Sequence, residues 1–147
     1  MSRIPLSEVG ATPFERLMGW SSDILKSWSQ LEQVFFQSQH FTPEFLEQVR
    51  RALAFDNLCQ YCMAKAGPAD YKSNDEKLVR ALRFANQFAI DHKLVTDSDI
   101  EELKHCFTVA EISELVSFCS FISASQRFGA VLGLQAAHQY SSDPLII

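Results

Sequence analysis

The stretch from Val109 to about Leu132 constrains this chain most. Its spacing is helical, yet it is apolar on nearly all sides, at Leu115, Val116, Phe118, Cys119, Phe121 and Ile122. A helix of that kind must run through the centre of a core or be shared with another subunit. The rest of the chain repeats the helical period. Leu17, Met18, Ile24, Leu25, Trp28, Leu31 and Phe35 follow Phe14 as one wide stripe. Phe45, Leu46, Val49 and Leu53 form a second apolar face, and Leu78, Val79, Leu82, Ala85 and Ala89 a third. With no convincing strand pattern, the expected fold class is all-α.

Local signals place the ends of these helices. Pro5, Gly10 and Pro13 make residues 1–13 an extended arm. Thr42 followed by Pro43 is a cap and first-turn signal. Asp56 and Asn57 break the second face, Cys59 opens a short helix, and Gly67-Pro68 ends it. Ser73 to Glu76 fits a capping box for the third face, and Thr108 with Glu111 fits another for the last helix. A short helix is expected from about Asp97, with Ile100 and Leu103 inward. Twelve Phe, with Trp20 and Trp28, supply the filling of a helical core or the wall of an apolar pocket. At 147 residues, with no linker long enough to divide it, the chain is expected to form one domain over 1–147.

Charge and composition narrow the function. The net charge is −5 and no basic tract is present, so nucleic acid is not an expected partner. The opening MSRIPLSEVG lacks the apolar region of a secretory signal, and no apolar run would span a bilayer. These features favour a cytoplasmic protein with no membrane partner. In that compartment four cysteines point to catalysis, metal or burial before structural disulfides.

Two of the cysteines stand as CxxC in NLCQYC, Asn57 to Cys62, at the mouth of the short helix. Thiols at that spacing close a disulfide with little motion. A helix N-terminus favours negative charge, and such settings bring a thiol from its usual pKa of about 8.5 into the range of roughly 3.5–7.5. That logic favours Cys59 as the more acidic thiol. The bland alternative is a pair of inert buried residues. Zinc would need four ligands, and no second CxxC or close His pair follows. A thioredoxin-like site would need a βαβ context. Cys106 and Cys119 lie among apolar residues and read as structural, while His40, His92, His105 and His138 are scattered.

Three stretches carry a family resemblance: the opening SRIPL, LEQVRRALAFDNLCQYC, and VTDSDIEELKHCFTVAEISELVSFCSFISASQRFGAVLGL. In these the chain resembles the carboxymuconolactone decarboxylase superfamily, in its alkylhydroperoxidase-D-like, peroxidase-related branch. The resemblance implies an all-α, alkylhydroperoxidase-D-like helical bundle in a homo-oligomer, with a trimer or hexamer ahead of a dimer. It implies a hydroperoxide substrate and a dithiol reductant of unknown identity. The second Cys of the motif, Cys62, would be peroxidatic and the first, Cys59, resolving. Glu47, twelve positions before Cys59, would belong to a proton relay. The relay also wants a His four positions after the second Cys, where this chain has Ala66. Some members have His just before the second Cys, where Tyr61 stands.

The departure matters because thiolate, rather than thiol, attacks peroxide. Imidazole takes and returns that proton near neutral pH, and alanine does neither. The expected activity is a thiol-dependent hydroperoxide reductase cycling Cys62 and Cys59 between dithiol and disulfide, with Glu47 and Tyr61 beside them and no metal or organic cofactor. One rival is a binding or scaffold protein whose redox site has decayed, for which Ala66 speaks. The other is a decarboxylase-type lyase, which would need polar groups for an anionic lactone, and no clustered Arg or His supports it.

Overall fold

A computed structural model describes residues 1–135. His138 therefore lies outside the described residues. The helices are α1 (Pro13–Met18), α2 (Ser22–Phe36), α3 (Pro43–Asp56), α4 (Gln60–Ala66), α5 (Glu76–Asp91), α6 (Asp97–Lys104) and α7 (Val109–Val131), with a 3-10 turn at His92–Leu94. No strand occurs among the described residues.

Most ends are set by capping chemistry. Thr42 Oγ1 accepts from Phe45 N–H, with Pro43 in the first turn of α3. Thr108 and Glu111 close a reciprocal capping box on α7. Gly67, at φ +71°, stops α4, a conformation that suits glycine. Two expectations are corrected. The cap of α5 is Asp75, whose Oδ1 accepts from Leu78 N–H; Ser73 instead accepts from Asp75 N–H and so sits outside the helix. The single stripe from Phe14 is two helices, parted at Gly19, Trp20 and Ser21.

The parting is caused by the N-terminal arm. A Cβ on Gly19 would strike the Val9 carbonyl and the Ser7 hydroxyl, so glycine lets the arm lie against the end of α1. Ser7 N–H donates to Arg16 O at 2.9 Å, and Arg16 Nε returns a bond to Ser7 O at 2.7 Å. Trp20 is turned outward rather than into the core; the residue is 62% exposed and its indole N–H donates to Pro5 O. Further along, Arg3 donates from its backbone N–H to Leu132 O and from Nη1 to Val131 O, both at 2.7 Å. The arm thus satisfies carbonyls that the end of α7 leaves open and sets a cation at its negative pole.

The core lies between α3, α5 and α7. Leu46, Val49, Leu53, Leu82, Leu115, Phe118 and Cys119 are fully buried there. Trp28 and Phe35 of α2 pack their rings on Phe121, and Phe35 and Phe36 on Phe118. The apolar faces of α7 are accordingly used largely within the chain, while α2 leaves Ile24, Leu31 and Val34 exposed. No helix of the described residues is long and apolar enough to cross a membrane.

Gly19→Ala is expected to lower unfolding stability by about 1–3 kcal/mol, because the new methyl must push the arm off α1. Urea denaturation would show it; an unchanged midpoint would mean that the arm does not pack as described.

Candidate active site

The site begins where α3 ends. Asn57 follows its last turn and is 8% exposed. Its Nδ2 donates to Ser123 Oγ and to Gln126 Oε1, each at 2.9 Å, and its Oδ1 accepts from Arg127 Nε at 3.2 Å. Gln126, 2% exposed, donates in turn from Nε2 to Arg50 O at 3.0 Å. One buried network therefore ties the end of α3 to α7. Among the described residues no buried side-chain N or O lacks a partner. Such networks fix geometry because a half-satisfied one is costly.

The network holds an unusual turn. Leu58 sits at φ +54°, in the left-handed region where a residue with a Cβ is disfavoured, and its side chain is exposed. The chain swings round there, so that Cys59 becomes the cap of α4. Cys59 Sγ accepts from Cys62 N–H at 3.4 Å. The two cysteines form a disulfide, with Cα atoms 5.2 Å apart. They are not equivalent. Cys59 is fully buried, and Gly129 of α7 lies against its sulfur. Cys62 is half-buried and lines a cavity of about 260 Å³.

That cavity is walled by Thr12, Phe14 and Glu15, by Trp28 and Glu32 of α2, by Arg50 of α3, by Tyr61 and Lys65 of α4, and by Ile122, Ser125 and Gln126 of α7. Trp28 is fixed by its indole N–H, which donates to Ser125 Oγ at 2.9 Å. The wall is apolar on the Phe14, Trp28 and Ile122 side and polar around Arg50 and Gln126. A larger groove of about 550 Å³ lies between α5 and α6, but no cysteine lines it. Of these two spaces, the smaller is the one that a cysteine of the pair lines.

Of the residues expected at the site, Cys59, Cys62 and Tyr61 come together. Glu47 does not line the cavity. It accepts two bonds from Arg50, at 2.8 and 2.9 Å, and one from Arg51 at 3.3 Å. Burial pushes its carboxyl up, but the guanidinium hydrogen bonds and charges outweigh that and hold it below its ordinary 4.5. Its link to the cavity runs through Arg50. Ala66 is not in the cavity wall, and neither is any described histidine. His40 pairs with Glu114, His105 with Glu101 O, and His92 lies by the Phe88 ring.

Cys119 is ill suited to attack, since burial pushes its thiol up to about 12. Among the described residues no group of three or more His, Cys, Asp and Glu could hold a metal ion. Sequence reasoning missed Asn57, beyond its role as a breaker, and Gln126. The available signal was Gln126 itself, the lone amide side chain in α7.

No family model matches the chain, and no curated protein matches its sequence. Solved structures do match its fold. A peroxidase-related protein from Ralstonia eutropha JMP134, described as an alkylhydroperoxidase AhpD core, superposes with a TM-score of 0.75 at 17% identity, covering 95% of this chain and 94% of that one. A peroxidase-related protein from Silicibacter sp. TM1040 gives a TM-score of 0.68 at 16% identity, covering 87% and 78%. The fold is thus that of the AhpD core. The structural neighbours agree with the alkylhydroperoxidase-D-like resemblance carried by the sequence.

Glu47 should make stability acid-sensitive. Its carboxyl is depressed in the folded state, so its contribution is present above about pH 4.5 and lost as pH falls through the lower folded value. The stability difference between the protein and Glu47→Gln is therefore expected to be constant above that pH and to shrink below it. Denaturation at a series of pH values measures it; a difference that grows on acidification would contradict the pairing.

Proposed function

We propose that the chain is a thiol-dependent hydroperoxide reductase working through Cys62 and Cys59. The observation that carries this reading is the inequality of the two sulfurs: one lines a cavity, the other is buried within bonding reach behind it, in an AhpD-core fold. The Cys62 thiolate attacks the outer oxygen of the hydroperoxide. An S–O bond forms, the O–O bond breaks, and the leaving alkoxide takes a proton from water to become an alcohol. The sulfenic acid on Cys62 is then attacked by the Cys59 sulfur. The S–S bond forms, and the hydroxide released takes the thiol proton and leaves as water.

A dithiol donor supplies the two electrons that restore the pair. Its thiolate attacks Cys62, the reachable sulfur, and expels the Cys59 thiolate. The donor's second thiol then closes its own disulfide and frees Cys62. The scheme needs no metal or organic cofactor. Glu47 serves by fixing Arg50 at the cavity wall, since among the described residues no imidazole lines the cavity to connect it to sulfur. Tyr61 helps to wall the substrate space. A dithiol cycle suits a reducing compartment such as the cytoplasm. A homo-oligomer, trimer or hexamer by resemblance, belongs to the same reading, and the exposed face of α2 is the surface it would use. A decayed redox site in a binding protein is the second reading, favoured by Ala66 and by the lack of a described histidine at the cavity.

Stopped-flow mixing of reduced protein with an organic hydroperoxide tests the reading. Two thiols should be lost per hydroperoxide consumed, and peptide mapping should return a Cys59–Cys62 bond. Hydroperoxide left intact, with both thiols free, would overturn it in favour of the binding protein.

A further inference from the structure

Among the described residues, the wall of the cavity beside Cys62 has no imidazole, but it does have charge. Facing it are Glu15 from α1, Glu32 from α2, Arg50 from α3, and Tyr61 and Lys65 from α4; α7 adds uncharged side chains alone. These groups differ in how far they are already engaged. Arg50 is gripped by both oxygens of Glu47, so its charge is answered within α3. Glu15 Oε2 accepts from Ala11 N–H at 2.8 Å and Thr12 N–H at 2.9 Å, which holds that carboxylate at the start of its own helix. The Lys65 side chain makes no hydrogen bond or salt bridge within the described residues; its interaction there is the attraction to Glu15. It stands three positions after Cys62 on α4, where side chains share a face and Cβ atoms are about 5–6 Å apart.

We propose that Lys65 does the electrostatic part of the missing imidazole's work: its ammonium lies over the Cys62 sulfur and stabilises the thiolate that attacks peroxide. The thiol proton itself passes to solvent. Glu15 assists by keeping Lys65 on the cavity side: burial pushes its carboxyl up, hydrogen bonds from Thr12 and Ala11 more than offset that, and the charge of Lys65 adds a smaller lowering. Glu32 acts against the thiolate from another helix; it and Lys65 are both exposed and screened by water, and Lys65 is favoured by standing one turn from Cys62 on α4. The proposal rests on Cys62 being the attacking thiol.

The test is the pH dependence of Cys62 alkylation by iodoacetamide, followed by peptide-resolved mass spectrometry at low ionic strength. The background is Cys59→Ser, which removes the second reactive thiol and keeps a side chain able to cap α4. An opposite charge within about 4–6 Å shifts a titration by roughly 1–3 units. Lys65→Met is therefore expected to raise the midpoint by about one pH unit or more, and Lys65→Arg to restore most of it. A structural role for Lys65 would change rates at every pH without moving the midpoint, and that result overturns the proposal. So does an arginine variant that behaves like methionine. Alkylation does not require peroxide, so a protein with a low Lys65-dependent midpoint that leaves hydroperoxide intact would sink the enzymatic reading and leave standing only the pairing of Lys65 with the Cys62 thiolate.

Discussion

The placement of the cysteines depends on the buried bonding of Asn57 to α7. Asn57 spends both side-chain ends on that helix, and Gln126 passes the connection on to the backbone of α3 at Arg50. Leaving any of these buried groups without a partner would cost about 1–3 kcal/mol, so they form together or not at all. That cooperative hold keeps Leu58 at positive φ. Without it, the natural outcome at Asn57-Leu58 is a looser turn, and Cys59 would no longer cap α4 behind Cys62.

The same helix explains why the two sulfurs differ. Because α7 is apolar over a wide arc, with Ser113, Ser117, Ser120 and Arg127 on its exposed side, it can take α2 against Phe118 and Phe121 and still meet α3 and the start of α4. Cys59 lands against it, beside Gly129, where an added Cβ would lie 3.7 Å from the sulfur. Cys62, one helical turn on, points to the cavity that α1 and α2 close. The N-terminal arm completes this arrangement from below. It answers the last carbonyls of α7 through Arg3 and holds α1, whose Phe14 stacks edge-on with Phe128 of α7. A chain segment with no helix of its own thus helps to place a cavity wall.

Signals confined to a few residues were legible in the sequence. Thr42-Pro43, Thr108 with Glu111, and Gly67-Pro68 mark helix ends through chemistry internal to each end, and the structure agrees at each. The all-α fold and its AhpD-core neighbours also agree with what the sequence implies. The break at Gly19 was not legible, because its cause is an arm that crosses ten residues away in the chain. Trp20 faces outward for the same reason. Asp75 and Ser73 compete for one cap, and spacing alone does not rank them. At the site, CxxC announces the sulfurs but not which one is enclosed. Glu47 sits where the resemblance wants it, yet two neighbouring arginines engage it, a local pairing that a motif does not record. The partnership of Asn57 and Gln126 joins positions 69 residues apart and exists only once α3 lies on α7.

The central claim is that peroxide reaches Cys62 first and that Cys59 acts on it from behind. Trapping the sulfenic acid decides this most directly. Single variants Cys59→Ser and Cys62→Ser, each exposed to an organic hydroperoxide and then to a cyclic 1,3-dione, would be mapped by mass spectrometry. The account predicts a rapid adduct on Cys62 in the first variant and little or none on Cys59 in the second. An adduct forming as fast on Cys59, or on neither thiol, would contradict it.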